Sequence, residues 1–137
     1  MDRKDLQALS KIRIKEARTL LNSGLYDGAY YLAGYAVERA LKACIAKSTL
    51  RHDFPDKKKV EASHTHNVRE LVRVANLEDE RLKNARADPT FRNNWDLVEL
   101  WSEQSRYRRH DADIARALVE AVNNRSHGIL VWIKRHW

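Results

Sequence analysis

The residues of this chain best suited to chemistry stand together at Arg106-Tyr107-Arg108-Arg109-His110. An imidazole among guanidinium groups offers what metal-free RNA cleavage requires: a base for the ribose 2′-hydroxyl and a cation for the phosphate. Arg106 and His110 are therefore the catalytic candidates. Arg106, Tyr107, Arg108 and Arg109 form the candidate RNA- or nucleotide-binding run, since cations neutralise phosphates. A basic connector, with His110-Asp111 merely opening the last helix, accounts for the same residues without any chemistry.

A second set lies at Tyr31, Tyr35, Glu38 and Lys42, whose i, i+4 and i+3 steps place them on one helical face. Glu38 and Lys42 can pair along the helix. As a polar stripe the set could line a cleft with Arg106, which adds Tyr35, Glu38 and Lys42 to the binding candidates. The competing account is a polar network that fixes helix packing. His64-Thr65-His66 alternates histidines, with His52 nearby. A metal needs three or four convergent ligands, and no cysteine is close, so no metal and no other cofactor is expected. His66 reads instead as capping or packing at the start of a short helix. Lys57-Lys58-Lys59 reads as a solvated loop, and the four Trp as core and interface anchors. There is no phosphate-binding P-loop, no dinucleotide glycine fingerprint and no nucleophile elbow.

The elements that must position these residues are helices. Only four Gly and two Pro interrupt 137 residues, and no period-2 run of β-branched residues is present. The spacing predicts a first helix over about Lys4 to Asn22, stopped by Asn22-Ser23-Gly24. A second runs from Tyr26-Asp27-Gly28 to about Lys47, with a small-residue stripe of Ala29, Ala33, Ala36, Ala40 and Cys44. The short connection makes the two an antiparallel hairpin. Ser48 to Thr65, with Pro55, reads as a loop. Short helices follow at about Asn67 to Asn76 and Glu78 to Ala87, and Asp88-Pro89 starts another that reaches Trp101. Ser102 to His110 reads as a polar connector holding little core. The last helix is expected to run unbroken from Asp111 nearly to the end, with Ile114, Leu118, Ala121, Val122, Ile129 and Trp132 on one face. Arg125 would fall within that apolar stripe and need a carboxylate, Glu38 first and Glu99 or Glu103 otherwise. The expectation is a single all-α domain over residues 1–137, an up-and-down bundle of four or five helices.

Lys and Arg number 26 against 19 Asp and Glu, a formal net charge of +7. The excess fits an anionic partner such as RNA or a nucleotide, an acidic protein, or a merely solvated surface. One cysteine, Cys44, excludes an internal disulfide and suits a reducing setting. No signal-peptide run and no membrane-span length is seen. The expected location is the cytoplasm, away from membranes.

Leu20-Leu21-Asn22-Ser23-Gly24-Leu25-Tyr26-Asp27-Gly28-Ala29-Tyr30-Tyr31 runs into Ala33-Gly34-Tyr35-Ala36-Val37-Glu38-Arg39-Ala40-Leu41-Lys42-Ala43. With His64-Thr65-His66-Asn67-Val68-Arg69-Glu70-Leu71, Trp101-Ser102-Glu103-Gln104-Ser105-Arg106-Tyr107 and the final helix ending Val131-Trp132-Ile133-Lys134, these segments together resemble the prokaryotic HEPN family. The resemblance implies a helical bundle that dimerises and binds RNA or nucleotide. It also implies pairing with a minimal nucleotidyltransferase in a two-gene toxin–antitoxin or defence system. Catalytic members of the family carry Arg, four to six intervening residues, then His. Here the nearest pair, Arg106 and His110, has three residues between. An active metal-independent endoribonuclease using that pair and a non-catalytic dimerisation module are the alternatives.

Overall fold

The computed structural model describes residues 1–50 and 57–137. Helix α1 (Arg3–Asn22) is opened by a reciprocal cap: Asp2 Oδ1 accepts from the Asp5 amide at 2.8 Å, and the Asp2 amide donates to Asp5. It buries Leu6, Ser10, Ile14 and Ala17. Gly24, at φ +76°, reverses the chain where a side chain would be strained. Helix α2 (Tyr26–Leu50) then runs back along α1. Its buried Ala29, Ala33, Ala36 and Ala40 let the axes approach closely, and Ser10 Oγ donates to the Ala36 carbonyl at 2.8 Å across the interface.

α3 (Lys57–Ala62) and α4 (Val68–Val74) follow, the second capped by Asn67. Then come α5 (Glu78–Ala87) and α6 (Pro89–Glu99), a 3₁₀ turn (Glu103–Tyr107), α7 (Ala112–Asn123) and α8 (Ile129–Lys134). No strand occurs among the described residues. α2 is the central rod: α1, α4, the 3₁₀ turn, α7 and α8 all pack on it. Phe91 and Trp95 of α6 close the core against Trp132 of α8, with ring centroids 5.3 and 6.5 Å apart. Cys44 is buried in the core, and burial pushes its thiol up to about 12, which disfavours the thiolate. No helix among the described residues is long and apolar enough to cross a membrane.

Three expectations are corrected. The segment from Ser48 to Thr65 is not simply a loop, because α2 continues through Thr49 and Lys57–Ala62 is helical; His52 and Pro55 lie outside the described residues. The last helix is broken after Asn123. The Asn124 side chain accepts from the Ser126 and His127 amides at 3.0 and 2.8 Å, which offers the backbone a turn in place of a further helical bond. Arg125 consequently lies exposed in that turn, with no ion pair to Glu38, Glu99 or Glu103, and Ile114 is exposed.

The same turn is pinned to the α5–α6 junction, where His127 Nδ1 meets Asp88 Oδ2 at 2.7 Å while Asp88 caps α6 at the Phe91 amide. These two partners, His127 foremost, hold the Asp88 carboxyl below its ordinary value. A depressed carboxyl stabilises the fold above its unfolded value, and that contribution drains away as pH falls through the folded one. Asp88→Asn keeps the cap but loses the charge. Its urea midpoint is expected below wild type at neutral pH, with the gap closing in acid. A pH-independent gap would assign the effect to shape alone.

Candidate nucleic-acid interface

The run Arg106 to Arg109 is exposed along its length, and Tyr107 is 70% exposed. It projects because both of its ends are held. Before it, Ser102 and Ser105 cap the 3₁₀ turn reciprocally, the Ser105 side chain being buried. After it, His110 stacks on Tyr30 of α2 with ring centroids 3.8 Å apart and planes 14° from parallel. The His110 amide donates to Asp27 at 2.5 Å, and Asp111 caps α7 at the Ile114 amide. His110 Nε2 meets the Ser105 carbonyl at 3.3 Å; since a carbonyl only accepts, Nε2 carries the proton. In the neutral ring that leaves Nδ1 as the basic nitrogen. His110 is thus an anchor as well as a candidate base, contrary to the expectation of a connector holding little core. Burial raises the Tyr30 hydroxyl above its ordinary value, with Arg108 acting in the opposite sense.

The Arg106 guanidinium lies 4.6 Å from the Tyr107 ring centroid and donates to the Tyr107 hydroxyl. Arg106 also feels the nearby Tyr31 and Glu103. The turn therefore presents three guanidinium groups and a phenol ring to solvent between two anchored ends.

The α2 stripe is assembled differently. Glu38 is wholly buried, and its Oε1 takes Lys42 Nζ at 3.1 Å and His66 Nδ1 at 2.8 Å. His66 Nε2 lies 3.6 Å from Glu103. His66 therefore ties the start of α4 to α2, while Asn67 does the capping. Sequence reasoning paired Glu38 with Lys42 and read His66 as capping or packing at the start of the short helix; it packs there, but its pairing with Glu38 was not foreseen. Tyr35 receives a hydrogen bond from Arg39, whose guanidinium sits 4.3 Å from its ring centroid. Tyr31 bridges Tyr35 and Trp101 at 5.8 and 6.1 Å between ring centroids. No hydrogen bond or ion pair joins Tyr35, Glu38 or Lys42 to residues 106–109 among the described residues. His64 does not converge with His66; it lines a cavity beside α3.

A family model described as HEPN domain matches residues 6–136. Comparison with curated proteins and with solved structures returned no match.

Proposed function

Because the chain belongs to the HEPN domain family, a family of nucleotide- and RNA-related modules, we propose that it binds RNA or a nucleotide through Arg106, Tyr107, Arg108 and Arg109. The observation that carries this reading is the exposed basic run set between the buried Ser105 and the Tyr30–His110 stack. Phosphates meet the guanidinium groups, and the Tyr107 ring offers a stacking surface for a base. The α2 residues Tyr35, Glu38 and Lys42 support the site by fixing the helix against which the run is anchored. The biological role is that of the toxin-like partner of a minimal nucleotidyltransferase in a two-gene toxin–antitoxin or defence system. An adjacent gene encoding such an enzyme would support this. A homodimer is part of the proposal: Leu97, Leu100, Tyr107 and Ile114 expose large apolar area on consecutive elements. Light scattering measures it.

A second reading, a metal-independent endoribonuclease, is favoured by one observation: the Ser105 carbonyl fixes the proton on Nε2 of His110 and frees Nδ1 to act as a base. The two readings are tested together. Single-stranded RNA affinity is expected to fall with salt, its logarithm dropping by about 0.7 per neutralised phosphate against log salt. Charge reversal at Arg106, Arg108 and Arg109 should weaken binding far more than reversal at Lys57, Lys58 and Lys59. Equal losses would mean diffuse attraction and no defined site. RNA cleavage that His110→Ala abolishes would establish the second reading; binding without cleavage leaves the first alone.

A further inference from the structure

Arg39 is half-buried on α2, and among the described residues its charge has no carboxylate partner. Its Nε is out of solvent with no hydrogen-bond partner among the described residues, and its Nη2 donates to the Tyr35 hydroxyl. Arg13 stands near enough to repel it, and Arg13 keeps its own acid, Glu16. Burial first, and Arg13 second, therefore push the Arg39 guanidinium below its ordinary pKa. A cation partly withdrawn from water, with no counter-charge among the described residues, is left under-compensated.

Beside it lies a cavity of about 480 Å³ between α1, the C-terminal half of α2 and α3. Leu6, Ile45 and Val60 give this cavity an apolar wall, and Arg39, Lys42 and Arg3 bring cations to its edge. Arg3 repeats the pattern at smaller scale: it donates to the Trp137 backbone oxygen at 2.6 Å, yet its buried Nε has no partner. Two of the remaining charges here are already engaged. Asp2, which also borders the space, is committed to the α1 cap, and Lys42 is shared with Glu38. Among the described residues at the cavity, Arg39 is a cation with no acid beside it.

We propose that this cavity binds a small organic anion, with a phosphate or carboxylate head against Arg39 and Lys42 and an apolar body against Leu6, Ile45 and Val60. The volume is that of a small-molecule site, and such sites combine apolar walls with a few convergent polar groups. The head supplies a negative charge that no described residue gives Arg39, and a guanidinium beside an ammonium suits an oxyanion of either kind. The site stands apart from residues 106–109 and does not depend on the RNA reading. Arg39 lies eight residues beyond Tyr31, about 12 Å further along the helix.

The test is calorimetric titration of the whole chain with phenyl phosphate, with hexanoate and with inorganic phosphate. At least one of the two organic anions is expected to bind, at least about tenfold more tightly than inorganic phosphate, because the apolar body leaves water. Which of them binds identifies the head. Arg39→Gln should weaken that binding about tenfold or more, whereas charge reversal at Arg106, Arg108 and Arg109 should leave it unchanged. Should Arg39→Gln fail to fold, Val60→Trp, on the exposed rim, fills the cavity and is expected to abolish binding with the thermal midpoint held. The proposal is overturned if neither organic anion binds at about 10 mM, if inorganic phosphate binds as tightly, or if Arg39→Gln or the filled cavity binds like wild type.

Discussion

Gly34→Ala is expected to cost about 3 kcal/mol of stability, near the upper end for overpacking a core. In an exposed helix the same change would gain up to about 1 kcal/mol, because alanine loses less conformational freedom than glycine. Here the added methyl would lie under 3.0 Å from Cδ1, Cδ2 and Cε2 of Trp101. Trp101 is buried, so the rigid indole has nowhere to retreat. The indole sits where it does because Trp101 ends the α6 segment and Tyr31 packs beside it. Displacing it therefore disturbs the link between α6 and the 3₁₀ turn as well. Urea denaturation measures the loss. The companion experiment is Gly34→Ala in a Trp101→Leu background, where the cost should vanish or change sign. The same penalty in both backgrounds would show that the ring contact is not its origin.

The second large effect is an asymmetry within the Glu38 cluster. Removing both partners of a fully buried carboxylate leaves a charge that cannot reach water, at a cost of about 3–5 kcal/mol. Lys42→Met combined with His66→Leu does this, since Oε1 is met by the Lys42 ammonium as an ion pair and by the His66 ring as a hydrogen bond, and Oε2 has no hydrogen-bond partner among the described residues. Glu38→Gln creates the opposite situation. Lys42 and His66 keep 15% and 41% of their side chains exposed and can turn their polar ends outward. That substitution should cost only about 1 kcal/mol. Chemical denaturation of the two variants compares them directly. Equal losses would mean that burial of the carboxylate is not what makes the cluster matter.

The sequence revealed the helices well where capping and periodicity agree. Asp88-Pro89 starts α6 and Gly24 ends the first hairpin arm as expected, because both signals act within a single turn of chain. The all-helical class and the α1–α2 hairpin follow from the same local physics. The break at Asn124 was missed because the apolar spacing of Leu118, Val122, Ile129 and Trp132 continues across it, while the turn is made by one asparagine side chain. Arg125 was misplaced for that reason. The candidate interface was legible as a cluster of residue types at Arg106 to His110. Its anchoring on Tyr30 was not, because a ring stack across eighty positions leaves no trace in local spacing. The lone charge of Arg39 was invisible for a related cause. Its significance lies in the absence of an acid beside it among the described residues, which only packing reveals.

The central position of α2 also limits how chains of this kind can vary in length. One face of α2 carries the small residues that seat α1, and another carries Tyr31, Tyr35, Glu38 and Lys42. One residue inserted between Ala29 and Cys44 would rotate everything beyond it by about 100° and advance it about 1.5 Å. Alanine would then face solvent and Glu38 would lose Lys42 or His66, so no single side-chain change could restore both faces. Insertions and deletions are therefore confined to the connections, and α2 acts as a fixed gauge against which loops of differing length can be laid.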